Sequence, residues 1–413
     1  MSTNTSNRRD FLKKGITGAA GLTLLPVFSR GQENRSAPDE TGKKKIVYRT
    51  LGKTGLKVPV ISFGCGNTQN ANLVGTALDM GMRHLDTAHG YGGGMNEVIV
   101  GEAVKDRPRD SFIVATKIEP LQDNRTGSIA QTLGRDISPA DFRKDLLEKL
   151  EQSLKRLKLP YVDIFYLHAM SLPDNIKLPL VKELMQEIKK QGKAKYLGVS
   201  IHQNEAEMVR TAVDEKIYDV VLVAYNFRQP HREEVKKAIA YAAKAGLGVI
   251  GMKMMAGAYW DRERRQPIDS TAAMKWVLQD ENIHTIIPGI TSFDHLEADM
   301  AIMENLAMTP DEWKNLRLGE ASGLAGLYCA QCGQCTARCR YGLDIPTAMR
   351  AYMYAYGYRQ PAKAAGVLKK KELAAISCRE CYSCAVTCQM GFDVPTKLKD
   401  IIRLVEVPED FLV

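Results

Sequence analysis

Residues 329–339 read CAQCGQCTARC, and residues 378–388 read CRECYSCAVTC. Both runs have the spacing C-x2-C-x2-C-x3-C, and the second begins 49 residues after the first. Two-residue gaps let one tight loop present three thiolates to one small inorganic group, and the fourth cysteine lies just past the loop. The spacing therefore predicts two 4Fe-4S clusters and electron transfer, with the ligands Cys329, Cys332, Cys335, Cys339, Cys378, Cys381, Cys384 and Cys388.

Two other chemistries use paired cysteines. Eight cysteines in an exported protein could form four disulfides, and zinc also accepts C-x2-C pairs. Neither explains the third cysteine at two-residue spacing, nor the repeat of the sequence that follows, YGLDIPT at 341–347 and MGFDVPT at 390–396. Arg340 and Gln389 stand where the bacterial cluster-binding run usually has proline, which leaves the number of ligands unchanged.

The composition is that of a globular protein. The chain has 413 residues, of which 45% are hydrophobic, and it is long enough for two domains with their own cores. Its formal net charge of +9 is modest for this length. Since no stripe of lysine and arginine is interleaved with aromatic residues, nucleic acid is not expected as a partner.

Residues 1–42 have the features of an export signal followed by a linker. The run NRRDFLK at 7–13 resembles the twin-arginine motif, and a glycine-rich, weakly apolar run at 16–28 is too short to span a membrane. The resemblance implies transport by the Tat translocase to the periplasm or cell envelope. No clear A-x-A site marks a cleavage point, so an uncleaved anchor stays open. The alternative is a disordered tail with a chance arginine pair.

The middle of the chain alternates short β-branched runs with longer amphipathic ones, which is typical of a parallel sheet. Eight strands with helices between them predict an α/β fold, a (β/α)8 TIM barrel over residues 43–306. A hairpin is expected before the barrel, with strands at 47–51 and 56–60. The predicted barrel strands are 58–63, 84–86, 112–116, 163–167, 195–200, 220–224, 248–252 and 285–288.

Polar side chains stand at the ends of several predicted strands, where barrel enzymes have their active sites. Asp86 ends the second strand, and Tyr91 follows in its loop. Lys117 ends the third strand and His168 the fourth. An Asp–Lys pair can lower the pKa of a neighbouring tyrosine, which can then give a proton to a carbonyl oxygen that a histidine orients. Each residue alone has a structural explanation, but four at successive strand ends predict a catalytic site.

The sequence around these residues resembles the aldo/keto reductase family. The likeness extends over about residues 45–306 and is carried by YRTLGKTGL at 48–56, HLDTA at 84–88 with Tyr91, ATK at 115–117 and DIFYLH at 163–168. It implies reduction of a small carbonyl substrate, or oxidation of an alcohol, with NADPH or NADH. By this likeness Tyr91 would donate the proton, Asp86 and Lys117 would tune its pKa, and His168 would orient the substrate.

The resemblance is weaker at the nicotinamide site. Ile201 and Leu222 stand where the family has an asparagine and a glutamine that bind the carboxamide, and Met252 replaces a stacking aromatic ring. The phosphate-binding segment, IPGITSFDH at 287–295, contains no lysine or arginine. A helix N-terminus could still help to hold a phosphate there. The remaining candidate cofactor contacts are Ser200, Tyr225, Asn226, Lys253, Thr291 and Ser292.

Residues 307–413 are predicted to form a small, mostly α-helical domain around the cysteines. Helical patterns at 347–356 and 362–376 separate the two runs, with Asp344 and Asp393 as candidate N-caps. This spacer resembles the α-helical ferredoxins of respiratory iron–sulfur subunits. The likeness implies that one cluster takes the first three cysteines of the first run with Cys388, and that the other takes the first three of the second run with Cys339. Cys65 lies outside both sets and is expected to be a small buried or pocket-lining residue.

Together these features predict an exported oxidoreductase, an aldo/keto reductase-like barrel fused to a two-cluster ferredoxin-like domain. The clusters would exchange electrons with a redox partner protein or a membrane electron carrier. Hydride carries two electrons at once whereas each cluster passes one, and no flavin motif is evident to connect them. The alternative is a non-enzymatic electron carrier in which a degenerate reductase barrel serves as a docking scaffold.

Overall fold

The computed structural model describes residues 46–123, 126–260, 265–321, 329, 333–370, 381, 384–388 and 391–412. The predicted export signal at 1–42 and the predicted ligands at 332 and 378 lie outside the described residues.

A hairpin precedes a barrel of parallel strands. The hairpin pairs β1 (Tyr48–Thr50) with β2 (Lys57–Pro59) in antiparallel register. Eight parallel strands follow in sequential order around the central sheet. They are β3 (Phe63–Gly64), β4 (His84–Asp86), β5 (Ile113–Ile118), β6 (Val162–Met170), β7 (Ala194–Ile201), β8 (Val220–Ala224), β9 (Gly248–Met252) and β10 (Thr285–Ile286).

The sheet closes on itself between its first and last strands. A parallel bridge joins Ile61 to Ile286, and the Gly64 backbone N–H donates to Pro288 O at 2.9 Å. A Cβ atom on Gly64 would lie 2.4 Å from that same oxygen, so only glycine permits this approach. The closed eight-stranded barrel confirms the predicted fold class.

Helices surround the barrel and then continue into the C-terminal part. Ser138 begins the longest of the described helices, because its Oγ accepts a hydrogen bond from Asp141 N at 3.1 Å and Pro139 occupies the first helical position. The helices are α1 (Ala71–Asp79), α2 (Met95–Val104), α3 (Ile129–Arg135), α4 (Pro139–Leu157), α5 (Pro173–Lys177), α6 (Pro179–Lys190), α7 (Glu205–Asp214), α8 (Arg232–Lys244), α9 (Ser270–Leu278), α10 (Phe293–Glu304), α11 (Pro310–Ala321), α12 (Ile345–Tyr352), α13 (Pro361–Lys370) and α14 (Val394–Ile402).

The first predicted barrel strand, 58–63, was too long. Residues 57–59 belong to the hairpin, and only 63–64 pair with β4. The reason is that the hairpin closes the lower end of the barrel, where Leu51 and Val58 are fully buried in the interior apolar cluster. Leu51 packs so tightly there that a Cβ on Gly248 would lie 2.5 Å from its Cγ.

The C-terminal part has its own helical core. The side chains of Asp344 and Asp393 accept hydrogen bonds from Thr347 N at 3.1 Å and Thr396 N at 3.2 Å, which confirms both predicted N-caps. The predicted helix 347–356 is α12 followed by a π-helical turn, Met353–Gly357. Of the predicted helix 362–376, α13 covers the part to residue 370, and the rest lies outside the described residues. The core packs around Met349, Tyr352, Leu368, Phe392 and Ile401.

This helical part packs on the end of the barrel where the strands terminate. Met353 of the π-helical turn is buried in one cluster with Phe227 and Trp260, which follow β8 and β9. Lys363 Nζ donates to Asn67 Oδ1 at 3.2 Å, and Asn67 follows β3. The predicted division of the chain at residues 306 and 307 stays a prediction. None of the described helices is both long and apolar enough to cross a membrane.

Candidate functional site

The structure brings the four predicted catalytic residues together at the carboxyl ends of the strands. Asp86 is the last residue of β4, and Tyr91 begins a short 3-10 turn in the following loop. Lys117 and His168 lie near the ends of β5 and β6. Neighbouring parallel strands end at the same edge, so residues far apart in sequence become neighbours in space.

Lys117 and Asp86 form a buried ion pair. Lys117 Nζ lies 2.5 Å from Asp86 Oδ1 and donates a second hydrogen bond to Thr87 O at 2.7 Å. Both side chains are only 1% exposed. Burial, the largest single effect, would lower the pKa of Lys117, but the interactions with Asp86 and Tyr91 together outweigh it and raise the pKa. Lys117 therefore carries a positive charge inside the site.

Tyr91 lies between this ion pair and His168. Lys117 Nζ is 5.0 Å from the centre of the Tyr91 ring, and the His168 ring is 5.8 Å away in an edge-on arrangement. Burial raises the pKa of Tyr91, and Lys117 opposes that effect without cancelling it. The expectation of a lowered tyrosine pKa was therefore wrong for this chain, because desolvation of the phenolate is the larger effect.

His202 is a site residue that the sequence reasoning missed. Its ring lies 5.6 Å from the His168 ring, and its Nε2 is 3.2 Å from Ser200 Oγ. Burial and the nearby charge of Lys253 hold its pKa well below the usual range. Side chains along a strand alternate between its two faces, and this pattern could have indicated His202. Because Ile201 is buried in the outer core, the residues on either side of it face the barrel mouth.

Lys253 stands directly after β9 at the same end of the barrel. Its backbone is left-handed, with φ of 61°, which is unusual for a residue other than glycine. Asn226 Nδ2 donates to Lys253 O at 3.3 Å. Burial and the repulsion of Arg350, a residue of α12, lower the pKa of Lys253 to about 7.

The residues at the expected nicotinamide site do not fit the carboxamide of that cofactor. Leu222 is fully buried inside the barrel, and Ile201 is fully buried outside it, so neither position offers a polar contact. Tyr225 is buried in the outer core against Trp276, with 5.1 Å between the ring centres. Asn226 is completely buried and engaged with the backbone. We therefore derive no step through a nicotinamide.

The two candidate phosphate contacts also have partners within the chain. Ser292 caps α10 by accepting a hydrogen bond from His295 N at 3.2 Å. Thr291 Oγ1 lies 3.1 Å from His295 Nδ1. Both lie near a helix N-terminus, which favours negative charge. The segment 287–295 contains no lysine or arginine that would add a positive charge for a phosphate.

Three of the described cysteines share one cavity, as ligands of one cluster would. Cys339 lines one small, mostly apolar cavity with Cys381 and Cys384, as the crossed ligand set implies. Cys335 belongs to the helical core, and Cys329, Cys339 and Cys388 all pack against it. Thiolates in low-polarity surroundings fit the donor set of iron–sulfur clusters.

Cys339, Cys381, Cys384 and Cys388 form no disulfide with another described cysteine. No three described ligand residues close on a single metal ion. Cys65 is fully buried, as predicted.

A cavity of about 800 Å³ lies between the barrel and the helical part. From the barrel it is lined by residues after β5, β6, β7 and β8, among them Glu119, Ser171 and His202. From the helical part it is lined by Gln334, inside the first cysteine run, and by Arg350. Its size suits a small-molecule ligand.

Two family models match the chain. One, described as the aldo/keto reductase family, covers residues 65–272, which is half of the chain. The other, described as a 4Fe-4S dicluster domain, covers residues 328–393 and so contains both cysteine runs. The first match takes in all four residues of the predicted catalytic site.

Several characterised and uncharacterised proteins are similar to the barrel. The uncharacterized oxidoreductase YqkF of Bacillus subtilis is 34% identical over 157 residues, 37% of this chain and 48% of that protein. The L-galactose dehydrogenase of Arabidopsis thaliana is 30% identical over 51% of this chain and 66% of its own length. An L-glyceraldehyde 3-phosphate reductase of Escherichia coli O157:H7 is 24% identical over 70% of this chain and 96% of its own.

The fold matches solved structures too. The holo form of an aldo-keto reductase from Bacillus halodurans superimposes with a TM-score of 0.53 at 21% identity, covering 67% of this chain and 96% of that one. At this level of identity the likeness concerns the fold alone.

Proposed function

Because the chain belongs to the aldo/keto reductase family of oxidoreductases, we propose that it interconverts a small carbonyl compound and the corresponding alcohol at the site of Tyr91. Two 4Fe-4S clusters in the C-terminal part would exchange electrons with that site. The redox partner would be a protein or a membrane electron carrier that delivers or removes electrons at the clusters.

The chain's own residues supply proton transfer and orientation. Tyr91 would donate its hydroxyl proton to the carbonyl oxygen during reduction and accept it back during oxidation. Lys117 stands 5.0 Å from the tyrosine ring and stays charged beside Asp86, so it would stabilise the tyrosinate that remains. His168, edge-on to Tyr91, would hold the carbonyl oxygen in place.

The shared cavity carries this proposal. Gln334 lies inside the first cysteine run and lines the same cavity as His202, which contacts His168. A carbonyl group takes up two electrons and two protons to become an alcohol, one proton from Tyr91 and one from water. Iron–sulfur clusters, when bound, supply electrons one at a time, so two reduced clusters hold the number required.

An anaerobic single-turnover experiment tests the proposal. Holoprotein with measured iron and sulfide is reduced, freed of reductant and mixed with a panel of small ketones and aldehydes. We expect the clusters to reoxidise, as seen by absorbance and EPR, and one alcohol to form for each pair of reduced clusters. Tyr91→Phe should keep both clusters and lose at least a hundredfold in rate. Unchanged turnover in Tyr91→Phe would refute the role of the tetrad.

The same holoprotein tests whether a nicotinamide, instead of the clusters, donates the electrons. NADPH and NADH are titrated into the oxidised holoprotein, and binding is measured directly. Because Leu222 and Ile201 leave the carboxamide without polar partners, we expect neither nucleotide to bind tightly or to reduce the carbonyl panel. Turnover with NADPH would show that a nicotinamide, and not the clusters, is the immediate electron donor.

A non-enzymatic electron carrier is the second candidate. It is favoured by the same two apolar replacements, since they are what a barrel that lost its reductase cofactor would show. In that case wild-type protein and Tyr91→Phe would pass electrons to a partner equally well, and no carbonyl compound would reoxidise the clusters.

We also propose export by the twin-arginine route, which the run at 7–13 supports. The route carries folded proteins, which suits a chain that must receive its clusters before transport. Changing Arg8 and Arg9 together to lysine should retain the protein in the cytoplasm in a cell fractionation. An unchanged distribution would rule out export through this motif.

A further inference from the structure

The helical part contains two repeats with the same local structure. Its helices α12 and α14 begin alike, since Asp344 and Asp393 cap them with φ of −70° and −73°. The two caps are 49 residues apart, which is also the interval between the two cysteine runs. Each position of the first repeat therefore has a counterpart in the second, and the surroundings of the two can be compared.

The barrel covers one side of the first repeat. Thr336, Pro346 and Arg350 line the cavity of about 800 Å³ between the barrel and the helical part. Glu205, on the barrel side of that cavity, is paired with His231 at 2.9 Å. The barrel side contributes three acidic residues to the lining, Glu119, Glu205 and Glu234. The cation of the first repeat thus shares its cavity with an acidic surface.

The same side of the second repeat is open to solvent. It forms part of the small cavity that Cys339 shares with Cys381 and Cys384. The counterparts of Thr336, Pro346 and Arg350 all line this cavity, and they are Ala385, Pro395 and Lys399. No barrel residue is among the described residues that line it, and both Ala385 and Lys399 are exposed. A surface that the barrel covers on one repeat is therefore uncovered on the other.

Cations surround this open cavity. Arg338, Arg340 and Lys399 line it, all three are exposed, and none of the described lining residues is acidic. Arg338 Nη1 donates to Thr387 Oγ1, and the Arg340 guanidinium lies 5.8 Å from the centre of the Tyr341 ring. None of the three cations forms an ion pair with a described residue. Their charges are thus available to a molecule that approaches from solvent.

The open cavity has other features of an interface for electron transfer. Tyr341 is 41% exposed, and tyrosine and arginine are enriched where proteins bind one another. The Cys384 thiol is exposed, whereas its counterpart in the first repeat, Cys335, is buried. A protein bound here would therefore meet the thiolates that lie nearer to solvent.

We propose that the rim formed by Arg338, Arg340, Tyr341 and Lys399 docks an acidic protein that carries one electron at a time. Carboxylates of that protein would lie against the three cations, which gives the charge complementarity that directs association. At each encounter the carrier would lose one electron and the nearer cluster would gain it, with no bond made or broken. This inference rests on the proposed exchange of electrons at the clusters, and it names the partner.

An anionic membrane is the other partner that cations attract. Surfaces that bind membranes by charge gather roughly four to eight lysine and arginine residues. The described rim has three, and they surround a cavity instead of following one helix face. Electron-transfer complexes are typically small and weak, burying less than about 1,200 Å², and a rim of this size suits them. These observations favour a protein.

Calorimetric binding to the fully oxidised holoprotein tests the inference without electron transfer. The probes are two oxidised one-electron carriers of opposite charge, flavodoxin, which is acidic, and cytochrome c, which is basic. We expect flavodoxin to bind at least about tenfold more tightly than cytochrome c at low salt, and to weaken about tenfold as salt rises to about 0.3 M. Arg340→Gln and Lys399→Gln should each weaken flavodoxin about threefold, and together about tenfold.

Two matched variants remove a positive charge elsewhere. Arg350→Gln changes the counterpart of Lys399 on the covered repeat, and Lys369→Gln changes an exposed residue of α13 that pairs with Glu409 at 3.0 Å. Both should bind flavodoxin as the wild type does. Iron and sulfide contents are measured for every variant, so that loss of a cluster is not mistaken for loss of docking. The cluster reduction potentials are measured too, because a cluster with its thiolates is negative and also attracts cations.

Several results would overturn the inference. One is equal affinity for the two carriers, and another is flavodoxin binding that survives the double variant of Arg340 and Lys399. If the double variant shifts a cluster potential and leaves flavodoxin affinity unchanged, the cations serve the cluster and not a partner. If it loses binding to vesicles of anionic phospholipid while flavodoxin affinity is unchanged, the rim belongs to a membrane.

The outcomes also separate this inference from the function that it builds on. Docking is measured with both proteins oxidised, so it does not depend on the reaction at Tyr91. If flavodoxin docks as expected but no carbonyl compound reoxidises the clusters, the proposed reaction fails and the docking rim stands. If carbonyl compounds are reduced but flavodoxin does not bind, the reaction stands and the docking rim fails.

Discussion

Removing Lys117 should destabilise the barrel more than any surface substitution does. Lys117 Nζ lies 2.5 Å from Asp86 Oδ1, and both side chains are 1% exposed. Asp86 Oδ2 is buried without a hydrogen bond, so Lys117 is the main partner of this carboxylate. Lys117→Met would leave the Asp86 carboxyl group, charged or neutral, buried away from water without its ion-pair partner.

The size of the effect can be worked from this geometry. Two unit charges at 2.5 Å attract by roughly 7 kcal/mol at an effective dielectric constant of about 20, and most of that offsets the cost of desolvating them. Breaking a buried pair from one side typically costs about 3–5 kcal/mol. We expect Lys117→Met to lower the free energy of unfolding by that amount. The double variant with Asp86→Asn should regain about 2 kcal/mol, because no unpaired charge remains.

The assay is urea unfolding under oxygen-free conditions, followed separately by circular dichroism and by cluster absorbance, since the two parts of the chain need not unfold in one step. Lys158→Met is the control. It breaks an ion pair with Glu102 whose side chains are 45% and 41% exposed, and should cost about 1 kcal/mol or less. The reasoning is wrong if Lys117→Met costs no more than this control, or if the double variant is no more stable than the single one.

Two further predictions concern stability away from the ion pair. Burial raises the pKa of Asp299 to about 7, so its contribution to stability is fully present below about pH 4 and is lost as the pH rises through about 7. Asp299→Asn should therefore stabilise the protein by about 2 kcal/mol at pH 8 and hardly at pH 4 in urea unfolding, and a gain equal at both pH values would contradict this. Met353→Ala should cost about 2–3 kcal/mol, because Met353 is 7% exposed in the cluster shared with Phe227 and Trp260. Hydrogen exchange of α9 should then rise, and unchanged protection would show that this cluster does not hold the two parts together.

Some features could be predicted because their signals are local. The positions of the last seven barrel strands, the hairpin before the barrel and the caps Ser138, Asp344 and Asp393 each depend on residues a few positions apart. The first barrel strand was misjudged for a tertiary reason. Leu51 and Val58 read as ordinary strand residues, but both are drawn into the interior of the barrel by closure of its lower end.

The site shows the same division. Asp86, Lys117 and His168 could be predicted because each ends a strand, and parallel strands end at one edge. The pKa of Tyr91 could not, since its direction depends on how completely the ring is buried, and burial is a property of the packed chain. His202 was missed because the family pattern drew attention to Ile201, one residue earlier.

The amino-acid sequence by itself determined the thiolate spacing of the two cysteine runs, the alternation that makes a closed barrel and the strand ends that carry the tetrad. These depend on distances of a few residues, which covalent geometry fixes before the chain folds. Only the tertiary structure decided that the helical part covers the barrel mouth and that Arg350 lines the same cavity as His202. Contacts across 100 to 150 residues arise from the packing of one apolar surface on another, and no local pattern specifies which surfaces will meet.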